Sequence, residues 1–148
     1  MRFCAARGFR RANNGTTAVE FAMVALPLLL LIFGVIEFGR ALWARQGLQE
    51  TAIAGARCMG LVQSPCGSSG VYSASMTMSY VQATASGWVL TLPASSVSLN
   101  PSTTCAGVSG FSQVTLTYTF QTAVPFLINA LSAGVPLTAT ACFPNQPP

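Results

Sequence analysis

The residues able to do acid–base, nucleophilic or metal chemistry are few in this chain, and nearly all of them stand towards one end. The carboxylates are Glu20, Glu37 and Glu50, histidine is absent, and every charged side chain lies at or before Arg57. From Cys58 to Pro148 there is no Asp, Glu, Lys or Arg. General acid–base catalysis needs a positioned proton donor or acceptor, and a serine or threonine nucleophile needs a base beside it. The C-terminal stretch supplies neither, so its many Ser and Thr read as ordinary strand and loop residues. No phosphate-binding or dinucleotide-binding glycine motif occurs. The chain is therefore expected to be no enzyme and to carry no cofactor.

The cysteines offer oxidative chemistry instead. Cys4 stands in a basic leader, which leaves Cys58, Cys66, Cys105 and Cys142. In an oxidising compartment an even number reads as disulfides, and four cysteines allow three connectivities. The favoured pairing is Cys58 with Cys66, closing a local loop, and Cys105 with Cys142, tying the last strand to the loop before its neighbour. A zinc site is not expected, because there is no Cys-x-x-Cys pair and no His.

Arg2, Arg7, Arg10 and Arg11 precede an apolar run without a single acid among them. Nucleic-acid binding needs basic residues spread over a docking face. Here they act as topology signals, and no nucleic-acid partner is expected. The run from Phe21 to Ile36 is uncharged and bounded by Glu20 and Glu37. Its sixteen residues cover about 24 Å as a helix, short of a ~30 Å hydrocarbon core, but extension back to Thr16 makes a span. Pro27 is tolerated in such a helix. The basic flank holds the N-terminus in the cytoplasm and sends the C-terminal part out. A cleaved signal peptide would need small residues at a cleavage site after the apolar run. The chain continues instead as EFGRALWARQ.

These segments must be positioned by a few elements. Residues 1–15 read as a basic leader ending in the turn-prone Asn13-Asn14-Gly15, with Thr16 or Thr17 capping the helix that follows. One long helix is expected over 16–60, leaving the membrane and continuing amphipathically, with Gly34, Gly39, Gly47 and Gly55 each weakening it by up to ~1 kcal/mol. Residues 61–148 read as a β-rich, disulfide-containing domain. Period-two alternation predicts strands in VYSASMTMSYV (71–81), GWVLTLP (87–93), FSQVTLTYTFQ (111–121) and VPLTATACF (135–143). Residues 122–134 read as a short helix or a loop, and the ending PNQPP as a tail. A sheet with one apolar face must be covered, and the second half of the helix is the available cover. The expected class is α+β: a long N-terminal helix, transmembrane in its first half, followed by a small antiparallel sheet.

Glu20 is the most informative residue, because a carboxylate near the start of a membrane helix costs up to about 2.5–3.5 kcal/mol to bury without a partner. Gly15 followed by Thr-Thr-Ala-Val-Glu and an apolar run resembles the type IV pilin processing site, with glutamate at the fifth mature position. The stretch from Asn13 to Arg57 resembles the TadE-like family of pseudopilins in tight-adherence (Flp-type) pilus systems. The resemblance rests on Gly15, Ala18-Val19-Glu20-Phe21, Leu26-Pro27-Leu28-Leu29-Leu30, Glu37-Phe38-Gly39-Arg40 and Gly55-Ala56-Arg57.

The resemblance implies a pilin-like fold and cleavage between Gly15 and Thr16 by a membrane prepilin peptidase. It further implies assembly contacts through Glu20 and Phe21, with Glu20 pairing with the Thr16 amine of a neighbouring subunit. The C-terminal domain exceeds that of a small major Flp pilin, so the implied role is a minor pseudopilin acting in pilus assembly, initiation or surface adhesion. Its partners would be the peptidase, sibling pilin or pseudopilin subunits, the assembly machinery and the membrane. Its place would be the bacterial inner membrane, single-pass, with the C-terminal domain periplasmic, and in some assemblies the pilus at the cell surface. The alternative is a membrane-anchored periplasmic accessory or binding domain that joins no fibre.

Overall fold

The computed structural model describes residues 14–123 and 134–146. The expected leader up to Asn13, with Cys4 and its four arginines, and most of the expected helix or loop at 122–134 lie outside these residues. The chain divides into two compact units, one ending at Ile36 and the other beginning at Glu37.

Helix α1 runs from Asn14 to Gly60 with Pro27 inside it. Thr16 and Thr17 therefore lie within the helix and not at its cap, and Asn14 and Gly15 are helical where a turn was expected. Each residue added to an existing helix gains a hydrogen bond without a new nucleation cost, so weak helix formers at its edge are drawn in. In the first unit the apolar side chains stand exposed on all sides, from Phe21 at 75% through Ile36. Among the described residues this is the one helix long and apolar enough to cross a membrane.

The second unit is α+β. After the remainder of α1 come two short strands, β1 (Gly67–Ser68) and β2 (Val71–Tyr72), which form a small antiparallel ribbon. Helix α2 (Ala74–Gly87), a 3-10 turn (Ala94–Ser96), and strands β3 (Val97–Cys105), β4 (Val108–Phe120) and β5 (Val135–Pro144) follow. The last three make an antiparallel sheet in the order β3-β4-β5. The β3–β4 hairpin turns on Ala106 and Gly107, both at positive φ (51° and 83°). This two-residue geometry matches the twist of paired strands.

The core of this unit forms between α1 and the inner face of the sheet. Ala44, Leu48, Ala52, Ala56 and Met59 of α1 are buried in one cluster with Val81 and Ala85 of α2, Val114 and Leu116 of β4, and Ala139 of β5. Spacing of three or four residues places the α1 side chains on one helical face. Their small size lets other elements approach closely: a Cβ on Gly55 would meet Val81 at 2.8 Å and Val114 at 3.3 Å. The second half of α1 thus covers the sheet, as the uncovered apolar face requires.

Two strand expectations are overturned. The run expected as a strand from Val71 to Val81 is mostly α2, whose buried residues Thr77, Val81 and Ala85 recur every four positions. Its alternating polar side chains do not need a solvated sheet face. The hydroxyls of Thr77, Ser79 and Thr84 each donate to the carbonyl four residues back, at 2.9, 3.1 and 2.8 Å. Such back-bonding accommodates Ser and Thr within a helix.

The run from Gly87 to Pro93 is the end of that helix, not a strand. Leu90 N–H donates to Ala85 O and Val89 N–H to Ser86 O, with Val89 at φ +61°. This is a Schellman termination, satisfying carbonyls that the helix end leaves without partners.

Strands β4 and β5 match their expected runs, and the inward residues of β4 alternate as expected through Val114, Leu116 and Phe120. Strand β3 carries no sustained alternation in the sequence and falls where no strand is expected. The supposed tail is also tied down: Asn145 Nδ2 donates to Pro101 O at 2.8 Å, Ser112 Oγ donates to Asn145 Oδ1 at 2.6 Å, and Gln146 N–H donates to Gly60 O at 3.0 Å.

Candidate functional site

In the first unit the site is the start of α1. Gly15 and Thr16 lie in its first described turn, and Glu20 follows one turn later. Glu20 is exposed and has no hydrogen bond or ion pair among the described residues. Phe21 is exposed beside it, and the exposed apolar side chains continue through Leu31 and Val35. A helix that is apolar all round requires an apolar surrounding, supplied by lipid or by other helices. Glu20 stands at the start of that apolar surface as a carboxylate without a partner among the described residues.

In the second unit the first turns of α1 carry a different charge arrangement. Glu37 Oε1 accepts from Arg40 Nη1 at 2.6 Å and from the backbone N–H of Ala123 at 3.3 Å. The Arg40 guanidinium lies 5.5 Å from the centre of the Phe120 ring, within reach of a cation–π contact. Glu37 Oε2 is buried without a hydrogen-bond partner among the described residues. The Glu37–Arg40 pair thus holds the end of β4 against α1. Three-residue spacing already suggests such a pair in the sequence. Its anchor at Ala123, 86 residues away, leaves no local signal.

The cysteines form two disulfides, Cys58–Cys66 and Cys105–Cys142. The first joins the last turn of α1 to the β1 ribbon, where Cys66 O also accepts from Ser73 N–H at 2.9 Å. The second links the edge strands β3 and β5, with the Gln113 amide 3.6 Å from Cys142 Sγ. Among the described residues no three His, Cys, Asp or Glu side chains gather as a metal site.

The aromatic pair Trp43 and Trp88, with ring centres 5.2 Å apart, was not singled out by the sequence, since the two lie on different elements. Beside it a shallow groove along α1 is lined by Gly39, Leu42, Trp43, Arg45, Gln46 and Gln49.

What this arrangement can do is anchor and assemble: an exposed apolar helix with one carboxylate near its start, and a disulfide-braced unit with its own core. No curated protein and no solved structure matches the chain. Residues 15–57, from Gly15 to Arg57, match the family model described as TadE-like protein, and over that segment the chain is similar to this family.

Proposed function

We propose that the protein is a minor pseudopilin of a tight-adherence type IV pilus, cut after Gly15 by a prepilin peptidase. A TadE-like domain suggests involvement in such a pilus system. The observation that carries the finer reading is the coincidence of the match's first residue, Gly15, with a glutamate five positions later and an exposed apolar helix beyond it. In this reading the first half of α1 spans the bacterial inner membrane with its N-terminus cytoplasmic and the disulfide-braced unit periplasmic.

Cleavage would create a positive Thr16 amine at a helix start, where the helix dipole already disfavours positive charge. The Glu20 carboxylate of a neighbouring subunit compensates it. A subunit displaced along the axis leaves both charges without partners in apolar surroundings, and that penalty selects the assembly register. The partners are the peptidase, sibling pilin or pseudopilin subunits, and the assembly machinery. The role is assembly, initiation or adhesion, and not catalysis.

Glu20→Ala tests the reading. The variant is expected to insert and be cut but to abolish assembly of pili in cells carrying the cognate locus, while Glu20→Asp retains part of it. Unchanged piliation with Glu20→Ala contradicts the register mechanism. That result would favour a tethered accessory domain, for which the separate core of the second unit speaks.

A further inference from the structure

We infer that the first turns of α1 in the second unit form an interfacial collar, in which Phe38 meets the edge of the hydrocarbon core and Leu42, Trp43 and Arg45 reach the phosphodiester headgroup layer of the membrane. The inference rests on the membrane-anchored reading above and adds the place where the lipid contact ends.

Phe38, Leu42 and Arg45 lie outside the core cluster of their own unit, and Trp43 stays largely exposed although its ring packs on Trp88. Ala44 and Leu48 point inward, whereas Phe38 is 66% exposed, Leu42 48% and Trp43 59%. Three large apolar side chains exposed within two helical turns need a partner. Arg45 is exposed beside them and makes no hydrogen bond or ion pair among the described residues. Arg40 is engaged: its guanidinium is bound to Glu37 and lies over Phe120. The Glu37–Arg40 pair is neutral as a unit, which leaves Arg45 as the cation beside Leu42 without an ion-pair partner among the described residues. A phosphodiester supplies its counter-charge.

Helix length gives the same answer. The residues from Phe21 to Ile36 cover only about 24 Å, whereas a ~30 Å hydrocarbon core needs about 20 helical residues. With the Glu20 carboxylate held at the cytoplasmic headgroup layer, the count runs from Phe21 and not from Thr16, and the core ends near Arg40. Leu42 and Trp43 then fall at the boundary, and Arg45 reaches the phosphates beyond it. The ion pair between Glu37 and Arg40 lowers the cost of charge at that edge. Tryptophan is enriched at this level because its ring is apolar and its N–H is polar. The Trp43 indole N–H has no acceptor among the described residues and is free to donate to lipid oxygens.

The sequence holds two tryptophans, which permits a direct test. Full-length protein carrying Trp88→Phe is reconstituted into vesicles of phosphatidylethanolamine and phosphatidylglycerol, and the fluorescence of Trp43 is recorded. Lipids brominated near the headgroup end of the acyl chain are expected to quench it roughly twofold more than lipids brominated near the chain terminus. Protein that floats with vesicles but whose Trp43 is quenched only by aqueous acrylamide overturns the collar and leaves the anchor standing. Protection from both quenchers that rises with the protein-to-lipid ratio also overturns it, because a second copy then covers the face. Protein that does not float overturns the anchored reading and the collar together. Should Trp88→Phe fail to fold, wild type compared with Trp43→Phe reads the same quantity: the lipid-quenchable fraction must vanish with Trp43.

Discussion

Trp88 lies against Gly47: a Cβ added to Gly47 would come within 2.7 Å of Trp88 Cβ and 2.8 Å of its Cγ. The glycine that weakens α1 as a helix former is therefore what lets α2's end pack onto it. Gly47→Ala is expected to destabilise the protein by about 1–3 kcal/mol through overpacking, more than the ~1 kcal/mol of helix propensity it gains. Gly39, with nothing within 4 Å of the same added atom, serves as control. Gly39→Ala is expected to be neutral or stabilising by up to ~1 kcal/mol. Urea unfolding of both variants in detergent measures the contrast.

Val89 ends α2 at φ +61° and is 86% exposed. A β-branched residue in the left-handed region is strained, while glycine adopts it without a Cβ clash. Val89→Gly is expected to raise stability by about 0.5–1 kcal/mol despite the greater freedom of glycine in the unfolded chain. A lower unfolding midpoint would show that the Val89 side chain contributes a contact worth more than its strain.

The readable part of the fold was the part whose pattern had a single cause. In β4, Val114, Leu116 and Phe120 alternate with polar residues because one face meets the core and the other meets water. In α2 the same alternation of Ser and Thr with Met and Tyr arises otherwise, since hydroxyls such as that of Thr84 bond back within the helix. Composition could have warned of this, because Ala, Met and Gln favour helix. Strand β3 was hidden by Pro101, which interrupts the alternation of Val97 and Leu99. Proline fits there because β3 is an edge strand and its pairing shifts between Asn100 and Thr103. At Glu37, the pairing with Arg40 is suggested by three-residue spacing, whereas the anchoring to Ala123 depends on tertiary structure.

The two disulfides close loops of unequal length, with sequence separations of 8 and 37. Loop-closure entropy assigns ~2.5 kcal/mol to the shorter and ~3.8 kcal/mol to the longer. Replacing Cys105 and Cys142 by Ala is expected to cost more stability than replacing Cys58 and Cys66. Paired double variants compared by denaturant midpoint check the order. The reverse order would place the larger effect in native contacts around the β1 ribbon.

The central claim is that Gly15 and Glu20 belong to a processing and assembly signal. Its most direct test is the intact mass and N-terminal sequence of the protein purified from cells that carry its pilus locus. The expected result is a mature chain beginning at Thr16, with cleavage lost when Gly15 is replaced by a bulky residue. A chain that keeps Met1, or one cut after Ile36, would contradict the claim, because no Thr16 amine would then exist for Glu20 to meet.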